Sequence, residues 1–153
     1  MEEQIMNMPA VALRGLTILP GMIAHFDISR ERSLRAVEEA MEQDQKIYLV
    51  TQRNVDSEDP TQEDLYQMGI VADIKQVVRL QNDVVRILVD GISRAALLGF
   101  TGNEKYLEAE ICYCDSNADS LPEDLREAML LGVREAFHRY AAVVGKISKE
   151  LIL

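Results

Sequence analysis

The chain has 153 residues, 48% of them apolar, 5% aromatic and none of them tryptophan, and its net charge is −10. That length and apolar fraction suit one domain, or one domain plus the start of another, around an aliphatic, methionine-rich core. The charge argues against a nucleic-acid binder, which needs a basic face to displace counterions, and against docking on anionic membranes.

The chain opens on acidic Glu2-Glu3, with no basic region and cleavage site of a signal peptide, and holds no run of about 18 apolar residues for a spanning helix. A cytoplasmic protein is expected. Met6 to Leu13 reads as a buried strand. Pro20-Gly21 reads as a type II turn, because proline presets φ at the first turn position and glycine supplies a positive φ at the next. Met22 to Ile28 is a second strand, with Ile23 or Ala24 starting its inward set. Ser29 is the expected N-cap of a helix running to about Gln43, with Leu34, Val37 and Met41 on its apolar face beside Ala40. Lys46 to Thr51 is a third strand, and strand, helix and strand in this order suggest a parallel unit.

Gln52 to Thr61, acidic and polar with Pro60, reads as a surface loop, and Thr61 opens a short helical turn through Tyr66. Two long strands follow, Gly69 to Leu80 and Val84 to Leu98, joined at Asn82-Asp83, where both residue types tolerate positive φ. Asp90-Gly91 predicts a bulge in the second of them. Gly99 to Lys105 is a turn, and Tyr106 to Tyr113 alternates and closes the sheet. The composition changes at Asp115. A polar linker to Leu121 precedes a long helix to about Val144. Ser120 and Glu123 have capping-box spacing, Pro122 sits in the first turn, and Gly145 ends the helix. Leu130, Val133, Phe137, Tyr140 and Val144 form a face that needs a partner: the sheet domain, another copy, or further sequence. Ser148 reads as the cap of a helix cut off at Leu153, which marks the chain as a fragment. The expected domains are residues 1–115, β-rich, and 116–153, the start of a helical subdomain.

Cys112 and Cys114 project from one face of a strand. Their spacing does not suit a structural disulfide, and His25 and His138 lie far off in sequence. The reading is two reduced thiols and no metal. No G-x-x-x-x-G-K-[ST] loop occurs to cradle a nucleotide, and no serine sits in a nucleophile elbow. Glu38 with Glu42 dresses a solvated helix face, and His25 is a packed or edge residue. No catalytic or cofactor-binding residue is identified.

Four blocks in register, L-R-G-L-T-I-L-P-G-M (13–22), R-E-R-S-L-R-A-V-E-E-A-M (30–41), D-L-Y-Q-M-G-I-V-A (64–72) and V-R-I-L-V-D-G-I-S-R-A (85–95), resemble the amino-terminal domain of the Lon family of ATP-dependent proteases. The resemblance covers roughly residues 8–150. The chain departs from the family pattern at Ala12 and His25, where prolines are usual, and at Gln81 to Asp83, where Pro-Asp-Gly is common. The resemblance implies an α+β fold: a PUA-like curled β-sheet pseudobarrel with one packed helix, followed by a long C-terminal helix. It implies a parent serine protease that assembles as a hexamer and uses ATP and Mg. Those cofactors and the peptidase site belong to domains outside this chain. The implied role is substrate recognition and assembly. The domain would catch unfolded, damaged, tagged or short-lived regulatory proteins and contact sister subunits, with no nucleic acid or membrane as partner. The alternative is a free-standing interaction module, a receptor or adaptor of the same fold. A small acid–base enzyme built on His25 and an RNA-binding module are weaker readings.

A promiscuous binder needs an adaptable apolar surface, and methionine repacks cheaply. Met6, Met8, Met22, Met41 and Met68 are candidates, against core packing as the plainer reading, which is favoured for Met41. Around the turn, Leu16, Ile18, Leu19, Pro20 and Met22 are candidate contacts, because a turn-proximal apolar run is hard to bury in full. The cluster Arg30, Glu31, Arg32 and Arg35 is a candidate polar contact with substrate or a sister subunit, against a solvated helix face.

Overall fold

The apolar runs become six strands and one packed helix in the computed structural model, which describes residues 4–114 and 120–148. The strands are β1 (Ile5–Leu13), β2 (Ile23–Ile28), β3 (Lys46–Thr51), β4 (Met68–Arg79), β5 (Val85–Phe100) and β6 (Glu108–Tyr113). The helices are α1 (Glu31–Glu42) and α2 (Glu123–Val144). The class is α+β, as expected. The described residues form two compact units, the first ending at Cys114 and the second holding α2.

The sheet order is β2-β5-β4-β3-β1-β6, and a further β5–β6 pairing closes five of the strands into a ring. β5 is long enough to serve two neighbours. Its first half, Val85 to Asp90, pairs with β2, and Ala95 to Phe100 pairs with β6. β2 therefore hangs on the ring as an edge strand. All pairings between strands are antiparallel except β1 with β3, whose connection carries β2 and α1. The parallel unit suggested by the sequence exists, but its first strand is β1, not β2.

Two apolar clusters fill the unit. One gathers Val11, Leu13, Ile18, Ile47, Leu49, Ile70, Ile74, Ile87 and Val89 under Ala36, Val37 and Ala40 of α1. The other gathers Met8, Ala10, Tyr48, Val50, Val71, Leu97 and Ile111 inside the ring. The core is aliphatic but not methionine-rich: Met8 is buried, whereas Met6, Met22, Met41 and Met68 are exposed. Met41 leaves the apolar face because Ser33, Ala36, Val37 and Ala40 define the buried stripe, and position 41 lies round the helix from them.

Several local expectations shift. α1 takes Arg30, not Ser29, as its N-cap residue, with no side-chain cap bond. Arg30 is extended (φ −68°, ψ 133°), which sends its side chain back to β1 and starts the helix one residue later. At α2 the N-cap position falls on Pro122 rather than Ser120, so the capping-box spacing is not used as such. Gly145 ends α2 in the left-handed conformation. Most of the expected linker and the helix expected after Ser148 lie outside the described residues. Asn82 and Asp83 both take positive φ, 61° and 58°, as their turn requires. The register between β4 and β5 slips between Val71 and Ala72, opposite Ser93 and Gly91, which places the predicted bulge at Ile92.

Candidate functional site

The loop from Arg14 to Met22 is pinned by its backbone. Thr51 Oγ1 donates to the Leu16 carbonyl at 2.8 Å. Met22 N–H donates to the Leu19 carbonyl at 3.1 Å and Gly21 has φ +78°, which closes the Pro20-Gly21 turn as the sequence predicts. Gly21 N–H then donates to the Gly91 carbonyl at 2.8 Å, and Gly91 N–H donates to the Met22 carbonyl at 2.9 Å. Gly91 is what lets the turn dock: a Cβ there would stand 2.4 Å from the Leu19 carbonyl oxygen.

This pinning sorts the apolar run. Ile18 is 5% exposed and belongs to the core, whereas Leu16 is half-buried against the same cluster. Leu19 is 59% exposed, Ile23 68% and Met22 37%, with Pro20 exposed between them. The backbone bonds hold the turn without those side chains. Ile23 was not among the candidate contacts. The signal for it was the alternation of β2: Ala24, Phe26 and Ile28 face inward, so Ile23 and His25 face out. His25 is thus an exposed residue of the edge strand, opposite Leu88. Asp27 and Arg86, directly opposed, join β2 to β5 through two bonds of 2.7 and 3.0 Å. The guanidinium holds the Asp27 carboxyl below its ordinary pKa.

The arginine cluster divides by task. Arg30 donates to the Ala12 carbonyl at 3.1 Å, to Gln52 Oε1 at 2.8 Å and to the Glu58 carbonyl at 3.2 Å. Burial, then the neighbouring Arg14, lower its pKa from the ordinary arginine value. Gln52 is 2% exposed, not a surface residue, and its amide donates to the Asn54 and Ser57 carbonyls. Sequence reasoning missed this anchor because a lone glutamine at the head of a polar loop carries no local mark. Arg32 donates to the Asn103 carbonyl at 3.0 Å and lies 3.7 Å from Asp59. Arg30 and Arg32 thus tie the start of α1 to two loops. Glu31 and Arg35, one helical turn apart, pair with each other in solvent.

A pocket of about 380 Å³ opens at the start of α1, lined by Ala12, Arg14, residues 30–33, residues 58–60 and Leu107. Arg14, Arg30 and Arg32 face Glu31, Glu58 and Asp59 there, so the lining selects neither sign of charge. Among the described residues, no group of three or more His, Cys, Asp and Glu side chains is placed to hold a metal, and no helix is long and apolar enough to cross a membrane. The surface with the clearest binding character is the apolar turn.

Residues 7–153 match the model of the ATP-dependent protease La (LON) substrate-binding domain. The chain is 38% identical over 152 residues to a Lon protease of Lachnoclostridium phytofermentans and 32% identical over 149 residues to Lon protease 1 of Bacillus subtilis. These alignments cover 99% and 97% of this chain, but 19% of each relative. Among solved structures, the N-terminal domain of the Mycobacterium avium complex Lon protease matches with a TM-score of 0.72 at 17% identity, covering 96% of this chain and 73% of that one. A Lon N-terminal domain protein from Xanthomonas campestris matches with a TM-score of 0.60 at 16% identity, covering 86% and 72%. The family match over residues 7–153 and the similarity to the curated relatives agree: the chain belongs to the family of Lon substrate-binding domains.

Proposed function

We infer that this domain serves an ATP-dependent Lon-type protease by holding unfolded or tagged protein segments on the turn formed by Leu19, Pro20, Met22 and Ile23. The observation that carries this reading is the pinned loop. Backbone bonds to Gly91 and Leu19 fix the turn, the core takes Ile18 and half-buries Leu16, and the three large apolar side chains at the tip are spare. Burying such a side chain is worth about 1.5–3 kcal/mol. Three of them, less the cost of association, give a weak site, with a Kd on the order of millimolar. Sister subunits of a homo-oligomer, a hexamer in the parent, raise the effective concentration and supply avidity. Glu31 and Arg35, exposed and satisfied by each other, are the polar contacts left to substrate or to a neighbouring subunit. ATP and Mg act in the parent's ATPase domain, and the assembly works in the cytoplasm.

The test uses the full-length protease carrying Leu19→Ser and Met22→Ser. The expected result is slower degradation of an unfolded protein, through a KM raised several-fold, with substrate-free ATP hydrolysis unchanged. Degradation at the unmodified rate would overturn the reading.

A further inference from the structure

Cys112 and Cys114 are the only cysteines of the chain, and the binding role above does not use them. Both are half-buried, and neither is in a disulfide. The strand register sets Met68 of β4, Ala96 of β5 and Cys112 of β6 in one row across three neighbouring strands. Directly opposed residues share a face of a sheet. Met68 and Cys112 therefore stand on the same side, with the small Ala96 between them. Cys114 follows two residues after Cys112, on that side too, and its N–H donates to the Arg94 carbonyl at 3.0 Å. The Met68 thioether reaches across Ala96 to within 3.8 Å of the Cys114 Sγ. The fold thus adds to the Cys-X-Cys pair a third sulfur from 46 residues away.

We propose that Met68, Cys112 and Cys114 form a binding site for a soft monovalent metal ion, copper(I). Three alternatives are separated by magnitude and chemistry. A disulfide needs sulfurs about 2.05 Å apart and Cα atoms usually about 5.5–6 Å apart. Residues i and i+2 of a strand stand about 6.7 Å apart, at the limit of that range. A metal ion relaxes the demand: with metal–sulfur bonds of about 2.3 Å, three sulfurs around one ion lie about 4 Å from one another. The Met68–Cys114 separation already has that value. Zinc asks for four ligands and favours thiolate, imidazole and carboxylate, whereas a thioether beside thiolates selects copper(I). Binding displaces two thiol protons. One Cu⁺ and two R–SH give a complex of two thiolates and one thioether with net charge −1, two protons pass to solvent, and no electron moves.

The reduced protein is titrated with copper(I) in the absence of oxygen, in competition with bicinchoninate, a chromogenic copper(I) chelator. One equivalent should be withdrawn from the chelator, with two protons released per copper and a thiolate-to-copper absorption in the ultraviolet. Cys112→Ser with Cys114→Ser should abolish the competition. Met68→Leu, which conserves volume at an exposed position, should weaken it by about tenfold or more. Ala96→Leu, which lifts a branched side chain between the sulfurs, should weaken it likewise. Wild-type protein that competes no better than the double serine variant overturns the site. So does unchanged affinity in Met68→Leu, or a preference for zinc(II) over copper(I). Unchanged circular dichroism in each variant separates loss of the site from loss of the fold.

Discussion

At Gly91 one missing Cβ decides where an exposed loop sits. Gly91 stands next to the bulge at Ile92, and its amide and carbonyl both bond to the turn at Pro20-Gly21. Gly91→Ala would drive a methyl group into the Leu19 carbonyl, which is backbone and cannot swing aside. We expect a loss of about 2 kcal/mol, the usual scale of overpacking, read as a lower urea midpoint. Tyr48 is the other residue on which much rests. It is fully buried and donates its hydroxyl to the Ala95 carbonyl at 3.0 Å. Burial raises its phenol above the ordinary value of 10.0. Because the folded state holds the proton more tightly, the stabilisation is complete below pH 10 and is lost as pH rises from there towards the folded pKa. Thermal melts should therefore fall above pH 10, and Tyr48→Phe should make that fall shallower. Tyr106 and Tyr113, raised for the same reason, leave a residual slope.

At the scale of elements, the legible features were those fixed by local chemistry. Pro20-Gly21, Asn82-Asp83, Asp90-Gly91 and Gly145 each sit where the backbone needs an unusual φ or a close approach, and each is a turn, bulge or helix end in the structure. The strands followed from apolar runs and alternation, to within about two residues. What failed to show locally was what tertiary contacts decide. Ser29 has the chemistry of a cap, but Arg30 is drawn to Ala12 and Gln52, residues 18 and 22 positions away, and the helix start moves with it. Met41 fits an apolar stripe on paper, but the sheet is met by the narrower stripe of Ser33, Ala36, Val37 and Ala40. The binding candidates were half legible for the same reason: the run from Leu16 to Met22 is apolar throughout, and only the docking on Gly91 separates core from tip. The Asn82-Asp83 turn offers a direct check. Two non-glycine residues at positive φ carry strain, and Asn-Gly is the preferred pair for such a turn. Asp83→Gly should stabilise the protein by about 0.5 kcal/mol, read as a higher urea midpoint with unchanged m-value.

At the scale of the whole molecule, the ring of five strands and the appended β2 divide labour. The ring and α1 bury the two aliphatic clusters, with Ile18 of the loop and the inward face of β2 added to one of them. The edge strand and its preceding turn carry exposed apolar side chains that the core does not need. Among the described methionines all but Met8 are exposed, which suits a surface that repacks around varied partners. The acidic character of the chain keeps such a surface from associating with other acidic molecules by charge alone, so the recognition we propose rests on apolar contact. The most direct measurement is NMR chemical-shift mapping of this domain titrated with an unfolded protein, without nucleotide. Saturable shifts centred on Leu19 to Ile23, with or without Glu31 and Arg35, are the predicted result. An absence of shifts at those residues up to millimolar concentration, or saturable shifts confined to other surfaces, would contradict it.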